Sequence, residues 1–295
     1  MDVSLEIFPP KTAAQAAALD AELDTLAVIN PQFLSVTCGA GGTTQERTHA
    51  LVSRLHREGR FRLAAHLTCV RRRQVDVDAE ALEYMALGVS HIVALRGDPP
   101  EGSTDREIPA DGYAYASDLV SGLSRLGPFD LSVAAYPEPH PEALSAEADL
   151  DNLKRKVDAG ARRAITQFCF DTDQIFRFLD RARAAQIHVP ILIGVLPVLD
   201  FAKAVAFAKS CGASVPDTLV ARFAAAGDDT AARRHVSADV AREQCAALQR
   251  GGVDGVHFYT LNRAALSLEV CRSLGWTVPS RDRVGDAHRT MAAGG

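Results

Sequence analysis

Short apolar runs alternate with longer segments of helical spacing along most of the chain. Each run is bounded by Gly, Pro or polar residues, and such runs are typical of strands covered on both faces. Eight strands are predicted in this way: Val3–Phe8, Phe33–Thr37, Arg62–Thr68, Ile92–Leu95, Leu131–Tyr136, Arg163–Phe168, Pro190–Val195 and Gly255–Tyr259.

Segments of helical spacing follow these runs. They are Thr12–Leu26, a helix ending at Leu55, Asp78–Leu87, Ser117–Arg125, Asp149–Ala159, Thr172–Ala185, Phe201–Lys209, Ser237–Arg250 and Arg263–Leu274, with a polar, helical insert over Cys211–His235 before the eighth strand. Eight alternating units predict a single-domain (β/α)8 TIM barrel over residues 1–278, and the polar tail 279–295 is expected to fray. A doubly wound sheet is the structural alternative, but no G-x-G-x-x-G follows the first strand.

Composition narrows the setting. The chain has 295 residues, 47% of them hydrophobic, and a net charge of −5, which gives no electrostatic reason to expect nucleic acid or an anionic membrane as partner. Its six cysteines lie far apart without C-x-x-C spacing, and the N-terminus lacks the pattern of a signal peptide. We therefore expect a cytoplasmic protein with reduced thiols and no membrane span.

Polar side chains collect where the predicted strands end, and the active sites of such barrels lie at that face. Leaving a buried polar group unpaired costs about 1–3 kcal/mol, so a set of them at one face indicates a polar ligand. Each residue also has a structural explanation: Glu6 could be an exposed position of an alternating strand, His66 a core histidine, and Tyr136 a packing residue. The set is Glu6, Thr37, His66, Arg96, Asp98, Tyr136, Gln167, Tyr259, Asn262 and Arg263.

Longer stretches resemble a known family in the order in which that family shows them. They are Leu5–Pro10, Ser35–Thr37, His66–Cys69, His91–Asp98, Tyr115–Leu119, Ala134–Glu138 with His140–Glu142, Asn152–Ala161, Arg163–Phe168 and His257–Arg263. In these stretches the chain resembles bacterial methylenetetrahydrofolate reductases.

The resemblance implies an oxidoreductase of one-carbon metabolism and methionine biosynthesis, with a barrel that holds FAD at its C-terminal face. Hydride would pass from NADH or NADPH to the flavin and then to 5,10-methylenetetrahydrofolate, giving 5-methyltetrahydrofolate by alternate occupancy of one site. The resemblance also implies folate and nicotinamide substrates, no metal, and a homo-oligomer.

Matching positions give candidate roles, all implied by the resemblance. Glu6 is similar to the general acid, and Asp98 to the carboxylate that faces flavin and pterin. The flavin-contacting matches are Thr37, His66, Arg96, Gly97, Asp98, Ala116, Tyr136, His140, Asp149, Asn152 and Lys156. The substrate-binding matches are Gln167, Lys203, Phe207 and Arg263.

These residue types suit the implied chemistry. An anion such as Asp98 would stabilise an N5-iminium cation, and Arg96, Lys156 and His140 could meet the FAD diphosphate and ribityl chain. An acid that protonates N10 needs a raised pKa, and we expect Leu5, Ile7 and Phe8 to raise that of Glu6 by desolvation.

Three features depart from the family pattern, one of which is the seventh strand, Ile193–Pro197, where a proline is expected before the glycine. Lys203 stands where enteric relatives carry glutamine, and it could pair with the glutamate tail of folate or simply be solvated. The loop Glu101–Tyr113 is longer than in those relatives, which leaves the adenine end of FAD open.

Two other classes remain as alternatives. An aldolase or pterin methyltransferase would need a Schiff-base lysine or a metal set at a strand end, whereas the strand-end cations are arginines. The carboxylates Glu6 and Asp98 argue against a folate-binding barrel without activity.

Overall fold

The computed structural model describes residues 1–39, 45–98, 108–198 and 200–276, and its strands close into one parallel barrel. Each strand pairs with the next, and β1 pairs with β8 through Asp2–Glu6 and Gly255–Tyr259, which closes the ring. This architecture confirms the predicted barrel. The strands are β1 (Asp2–Ile7), β2 (Leu34–Val36), β3 (Leu63–Thr68), β4 (His91–Leu95), β5 (Asp130–Ala135), β6 (Arg163–Thr166), β7 (Ile191–Val195) and β8 (Gly255–Tyr259).

Helices follow the strands and cover the barrel. They are α1 (Ala13–Ile29), α2 (Gln45–Glu58), α3 (Gln74–Ala86), α4 (Ala116–Leu126), α5 (Ala146–Asp158), α6 (Thr172–Ala184), α7 (Phe201–Cys211), α8 (Asp217–Ala225), α9 (Thr230–Arg250) and α10 (Ala265–Ser273). Several begin at side-chain caps, for example Thr12 on α1 and Asp171 on α6, whose oxygens accept backbone N–H groups of the first turn. No helix within the described ranges is both long enough and apolar enough to cross a membrane.

The alternation along β1 decides which side chains enter the barrel. Leu5 and Ile7 are buried in the apolar layer shared with the helices, whereas Ser4 and Glu6 contact His257 on the neighbouring strand β8. Glu6 therefore points into the barrel, and the reading of it as a solvent-exposed strand position is wrong. A separate apolar cluster is formed by Phe33, Ala64, Val93, Ile165 and Leu192.

The segment after β7 differs from the prediction. The predicted insert Cys211–His235 contains the end of α7, all of α8 and the first turns of α9. Helices α7 and α8 share a separate apolar cluster with Phe168 and Leu196, which follow β6 and β7, while α9 packs between α6 and α10. Thus α9 completes the outer ring, and α7 with α8 forms an additional layer beside the C-terminal strand ends.

Two predicted features fall partly or wholly outside the described residues. These are the tail 279–295 and most of the long loop Glu101–Tyr113, of which only residues 108–113 are described.

Candidate active site

A carboxylate and two imidazoles meet at the C-terminal end of the barrel interior. Oε2 of Glu6 lies 3.3 Å from Nε2 of His66 on β3 and 3.5 Å from Nε2 of His257 on β8. His257 is completely buried, and its Nδ1 lies 2.7 Å from Oγ of Ser4 on β1. Strand pairing brings these residues together, because β8 and β2 flank β1 and β3 follows β2.

The two imidazoles determine the ionisation of Glu6. Burial by itself raises the pKa of this carboxyl group, but His257 and His66 outweigh burial and lower the pKa from 4.5 to about 2. The raised pKa expected from desolvation by Leu5, Ile7 and Phe8 is therefore wrong for this site. Burial of the carboxyl group was correctly anticipated, but Leu5 and Ile7 lie on the opposite face of β1 and Phe8 is exposed. The partners that override burial come from strands distant in sequence.

A cleft of about 660 Å³ opens at the C-terminal ends of β4 and β5, a size common for small-molecule sites. It is lined by nine of the eleven residues that match flavin-contacting positions by the resemblance: Arg96, Gly97, Asp98, Ala116, Tyr136, His140, Asp149, Asn152 and Lys156. The other two do not line it: Thr37 follows β2, and His66 lies within β3. The candidate cofactor residues are therefore largely one site.

Lys156 supplies a buried cation to this cleft. Its ammonium group is carried by α5 and donates to the carbonyl of Ala134 on β5 at 2.5 Å. Burial lowers its pKa to about 8, partly opposed by the nearby Asp149. Lys156 belongs to a helix, yet its long side chain reaches back to the end of β5, so this strand end gains a cation that its own residues do not supply.

Gly97 shapes the cleft behind the Arg96–Asp98 turn. Its φ of +86° lies in the left-handed region, and a Cβ there would stand 2.9 Å from Cβ of Thr68 and 3.0 Å from Cγ1 of Val70. Only glycine fits this approach to the end of β3. The turn leaves the Asp98 side chain exposed along the cleft wall.

The loop after β5 forms the opposite wall. The ring centroids of Tyr136 and His140 lie 4.8 Å apart in an edge-on arrangement, and the His140 backbone N–H donates to Oδ2 of Asp149 at 3.0 Å. Further along, Oε2 of Glu142 pairs with the Arg96 guanidinium at 2.8 Å. Arg96 is thus tied to this loop across the cleft.

The four candidate substrate residues are less closely gathered. Phe207 on α7 is partly exposed, and its ring centroid lies 5.3 Å from that of Phe168. Lys203 and Arg263 are exposed and pair with Asp200 at 3.0 Å and Glu22 at 3.5 Å. Gln167 turns its Oε1 to the N–H of Phe168 at 3.0 Å.

Asn262, which the sequence also places at the end of β8, connects two loops rather than lining the cleft. Its amide exchanges two hydrogen bonds with the backbone of Phe8, at 2.9 and 3.0 Å, and joins the loops after β1 and β8.

Several cleft and site residues were not assigned roles from the sequence. Tyr115, Ser117, Glu142, Leu144 and Arg155 line the cleft, and His257 contacts Glu6. A signal existed for two of them, because Tyr115 and Ser117 stand at the predicted start of α4, where backbone N–H groups favour anions. Leu144 is 98% exposed, which an isolated sequence does not reveal.

The family model of methylenetetrahydrofolate reductase matches residues 1–275. The chain belongs to the methylenetetrahydrofolate reductase family. It is 45% identical to 5,10-methylenetetrahydrofolate reductase of Escherichia coli K12 over 275 residues, covering 93% of this chain and 91% of the relative. These matches confirm the resemblance and place the chain among oxidoreductases of tetrahydrofolate metabolism.

Two more distant proteins resemble the chain. Methylenetetrahydrofolate reductase (NADH) 1 of Arabidopsis thaliana is 32% identical, and the match covers 94% of this chain but 51% of the plant protein. A Clostridium thermocellum protein, described as binding two copies of 5-methyl-5,6,7,8-tetrahydrofolic acid, superposes with a TM-score of 0.59 at 14% identity, covering 92% of this chain and 95% of its own. The second likeness is one of fold.

Proposed function

We propose that this chain reduces 5,10-methylenetetrahydrofolate to 5-methyltetrahydrofolate with NADH or NADPH, holding FAD in the cleft beside β4 and β5. The substrates would occupy one site in turn, as in a ping-pong reaction. The observation that carries the proposal is the convergence of nine candidate flavin residues on a single cleft in a member of this reductase family.

The chemistry of the cleft fits a dinucleotide flavin. Lys156 and Arg96 supply cations, and the start of α4 at Ala116 and Ser117 supplies backbone N–H groups beside them. A buried ammonium group with a pKa lowered to about 8 gains from an anion placed against it. We assign the diphosphate to these groups and the ribityl chain to the polar side chains of His140 and Asn152.

When bound, the flavin would accept hydride from the nicotinamide and pass it to the folate. Asp98 would act electrostatically and would transfer no proton. Its exposed carboxylate on the cleft wall would stabilise a cationic N5-iminium of the opened folate ring.

Glu6 would deliver the proton that the leaving N10 requires. With a pKa of about 2 the carboxyl group is ionised near neutral pH, so a proton must reach it before transfer. The imidazoles of His66 and His257, at 3.3 and 3.5 Å, are the neighbouring groups able to supply that proton. The folate half-reaction would thus depend on the group as a unit.

Phe207 would contact the folate and is supported from behind by Phe168, whereas Gln167 would contact the folate or the nicotinamide. Lys203 and Arg263 would lie toward the carboxylate tail of folate, since both are exposed cations. Each now pairs with an acidic side chain that the tail would have to replace.

The absorbance spectrum of the purified protein tests the proposal. A flavin band is expected, and chromatography of the cofactor released by denaturation should identify FAD. The band should bleach anaerobically with NADH or NADPH and return when methylenetetrahydrofolate is added. A colourless protein that takes up no added FAD overturns the proposal, and so does bound flavin that the folate cannot reoxidise.

A further inference from the structure

The loop that walls the cofactor cleft is also attached to the linker between α7 and α8. The backbone N–H of Ser214 donates to both carboxylate oxygens of Glu138, at 3.0 and 3.2 Å. Three residues after Glu138, Pro141 packs on Gly212, where a Cβ would lie 2.5 Å from Cγ of the proline. The two segments are therefore held by a charged hydrogen bond and by close van der Waals contact.

The same short loop reaches the cleft. His140 and Glu142 line it, and each is fixed to another cleft residue, His140 through Asp149 and Glu142 through Arg96. Glu138 thus lies two residues from one cleft contact and four from the other. A ligand that shifts this loop would move the Glu138 carboxylate as well.

The other side of the attachment is the helix that carries Phe207 and Lys203. α7 ends at Cys211, three residues before Ser214. Its buried residues Ala204 and Ala208 pack in the cluster with α8 and Phe168, so its position depends on local contacts at the barrel mouth. A shift of the linker that follows α7 can therefore change the position of the whole helix.

Glu138 contacts a third segment. The Cys169 thiol follows β6, next to Phe168, and the nearby Glu138 carboxylate adds to burial in raising the pKa of this thiol well above its usual range. The loops after β5 and β6 and the linker after α7 consequently converge on one carboxylate. A hydrogen bond to a charged acceptor is stronger than one between neutral groups, which suits a connecting role.

We propose that Glu138 is a positioning residue that couples the cofactor cleft to α7. Binding of the cofactor in the cleft would thereby fix the position of Phe207 relative to the substrate. This inference rests on the proposed function. It assigns Glu138 no contact with flavin or folate; the carboxylate acts through Ser214 and the helix before it.

Hydrogen exchange measured with and without FAD tests the coupling directly. In the wild type, FAD should slow exchange in α7 and at Ser214 as well as in the cleft loop. Glu138→Ala should speed exchange at Ser214 by roughly tenfold or more, as expected for the loss of a hydrogen bond to a charged group, and remove the response of α7 to FAD. Glu138→Gln keeps one acceptor oxygen, so its effect on exchange should be intermediate between wild type and Glu138→Ala. This variant also provides the test if the alanine variant folds poorly.

Kinetics give a second measurement. Glu138→Ala should raise the KM for methylenetetrahydrofolate by roughly tenfold while flavin reduction by NADH stays within about twofold. The matched control is Glu243→Ala, which removes a carboxylate that pairs with Arg222 at 2.6 Å and joins α8 to α9 away from the cleft loop. The control should leave both measurements unchanged.

Each contrary result has a separate meaning. A protein that binds no FAD overturns the proposed function. A protein that binds FAD without any change of exchange in α7, or a Glu138→Ala variant whose α7 still responds, overturns the coupling alone. Equal losses in both half-reactions, or the same KM effect in Glu243→Ala, also overturn it.

Discussion

Replacing Glu6 by glutamine separates the proton-transfer role of this residue from its structural role. The amide keeps the size of the side chain and an oxygen near His66 and His257, but it carries no charge and delivers no proton. We expect near-normal reduction of flavin by NADH, because that step needs no acid at N10. The folate half-reaction should fall by about 10²–10⁴, the usual contribution of a positioned acid.

The structure also sets a magnitude for stability. Lowering the pKa of Glu6 from 4.5 to about 2 corresponds to about 3 kcal/mol, at about 1.4 kcal/mol per pKa unit. The folded-state value is the lower one, so this contribution is present above the unfolded-state pKa and is lost as the pH falls through 4.5 toward 2. Glu6→Gln should therefore be less stable than wild type by up to about 3 kcal/mol near pH 6, and the difference should narrow below pH 4.5.

Stopped-flow with each substrate alone measures the two half-reactions, and denaturant unfolding at several pH values measures the stability difference. Glu80→Gln is the matched control, since Glu80 is a comparably buried carboxylate that pairs with Arg72 at 2.7 Å on the outer helix α3. If both half-reactions of Glu6→Gln fall together, Glu6 maintains the shape of the site. If neither falls, the acid lies elsewhere. A stability difference that does not change with pH would refute the lowered pKa.

Two further substitutions test the cleft. Asp98→Asn should still bind FAD but reduce folate poorly, and its flavin midpoint potential should shift upward, because an anion beside the reduced ring is removed. A spectroscopic redox titration measures this potential. If both the potential and the folate turnover stay unchanged, Asp98 is only a turn residue. Lys156→Met should weaken FAD binding by roughly tenfold or more with little loss of folding stability, because it removes a buried cation at a desolvated position. Flavin titration measures the affinity, and denaturant unfolding measures the stability. An unchanged affinity for FAD would contradict the assignment of Lys156 to the diphosphate.

The barrel was predictable because its signals are local. Each strand is a short apolar run bounded by turn residues, and the predicted runs differ from the observed strands mainly at their ends. Thr37, Tyr136 and Gln167 were counted as strand residues and instead stand just past β2, β5 and β6. That position is where a side chain leaves the ladder and enters the site.

The placement of α7 was less predictable because it depends on tertiary contacts. Phe201–Lys209 has the spacing of an ordinary outer helix, and nothing in those residues distinguishes it from one. Its packing partners, Phe168 and Leu196, follow β6 and β7, and α9 takes the outer position. Helical periodicity indicates that a face is buried but does not indicate against what.

The ionisation of Glu6 also depends on tertiary contacts that the local sequence does not reveal. Burial was anticipated from Leu5, Ile7 and Phe8, and burial does raise the pKa of this carboxyl group. The opposing groups, His66 and His257, are separated from it by tens to hundreds of positions. His257 meets it because β8 pairs with β1, and His66 because β2 and β3 follow β1 around the barrel. Long-range partners of this kind reverse the sign of a shift that local sequence predicts.

The separation of the site into two groups explains why its half-reactions should be separable by mutation. The Glu6 group is built on β1, β3 and β8, whereas the cleft is built on β4, β5 and the helices that follow them. Tyr259 ends β8, and burial raises the pKa of its hydroxyl, with further contributions from the nearby charges of Glu6, Tyr136 and Cys211. Its hydroxyl donates to the carbonyl of Thr166 at 2.8 Å. A substitution at Glu6 should therefore reach the flavin step only through the substrate, and one in the cleft should affect both steps.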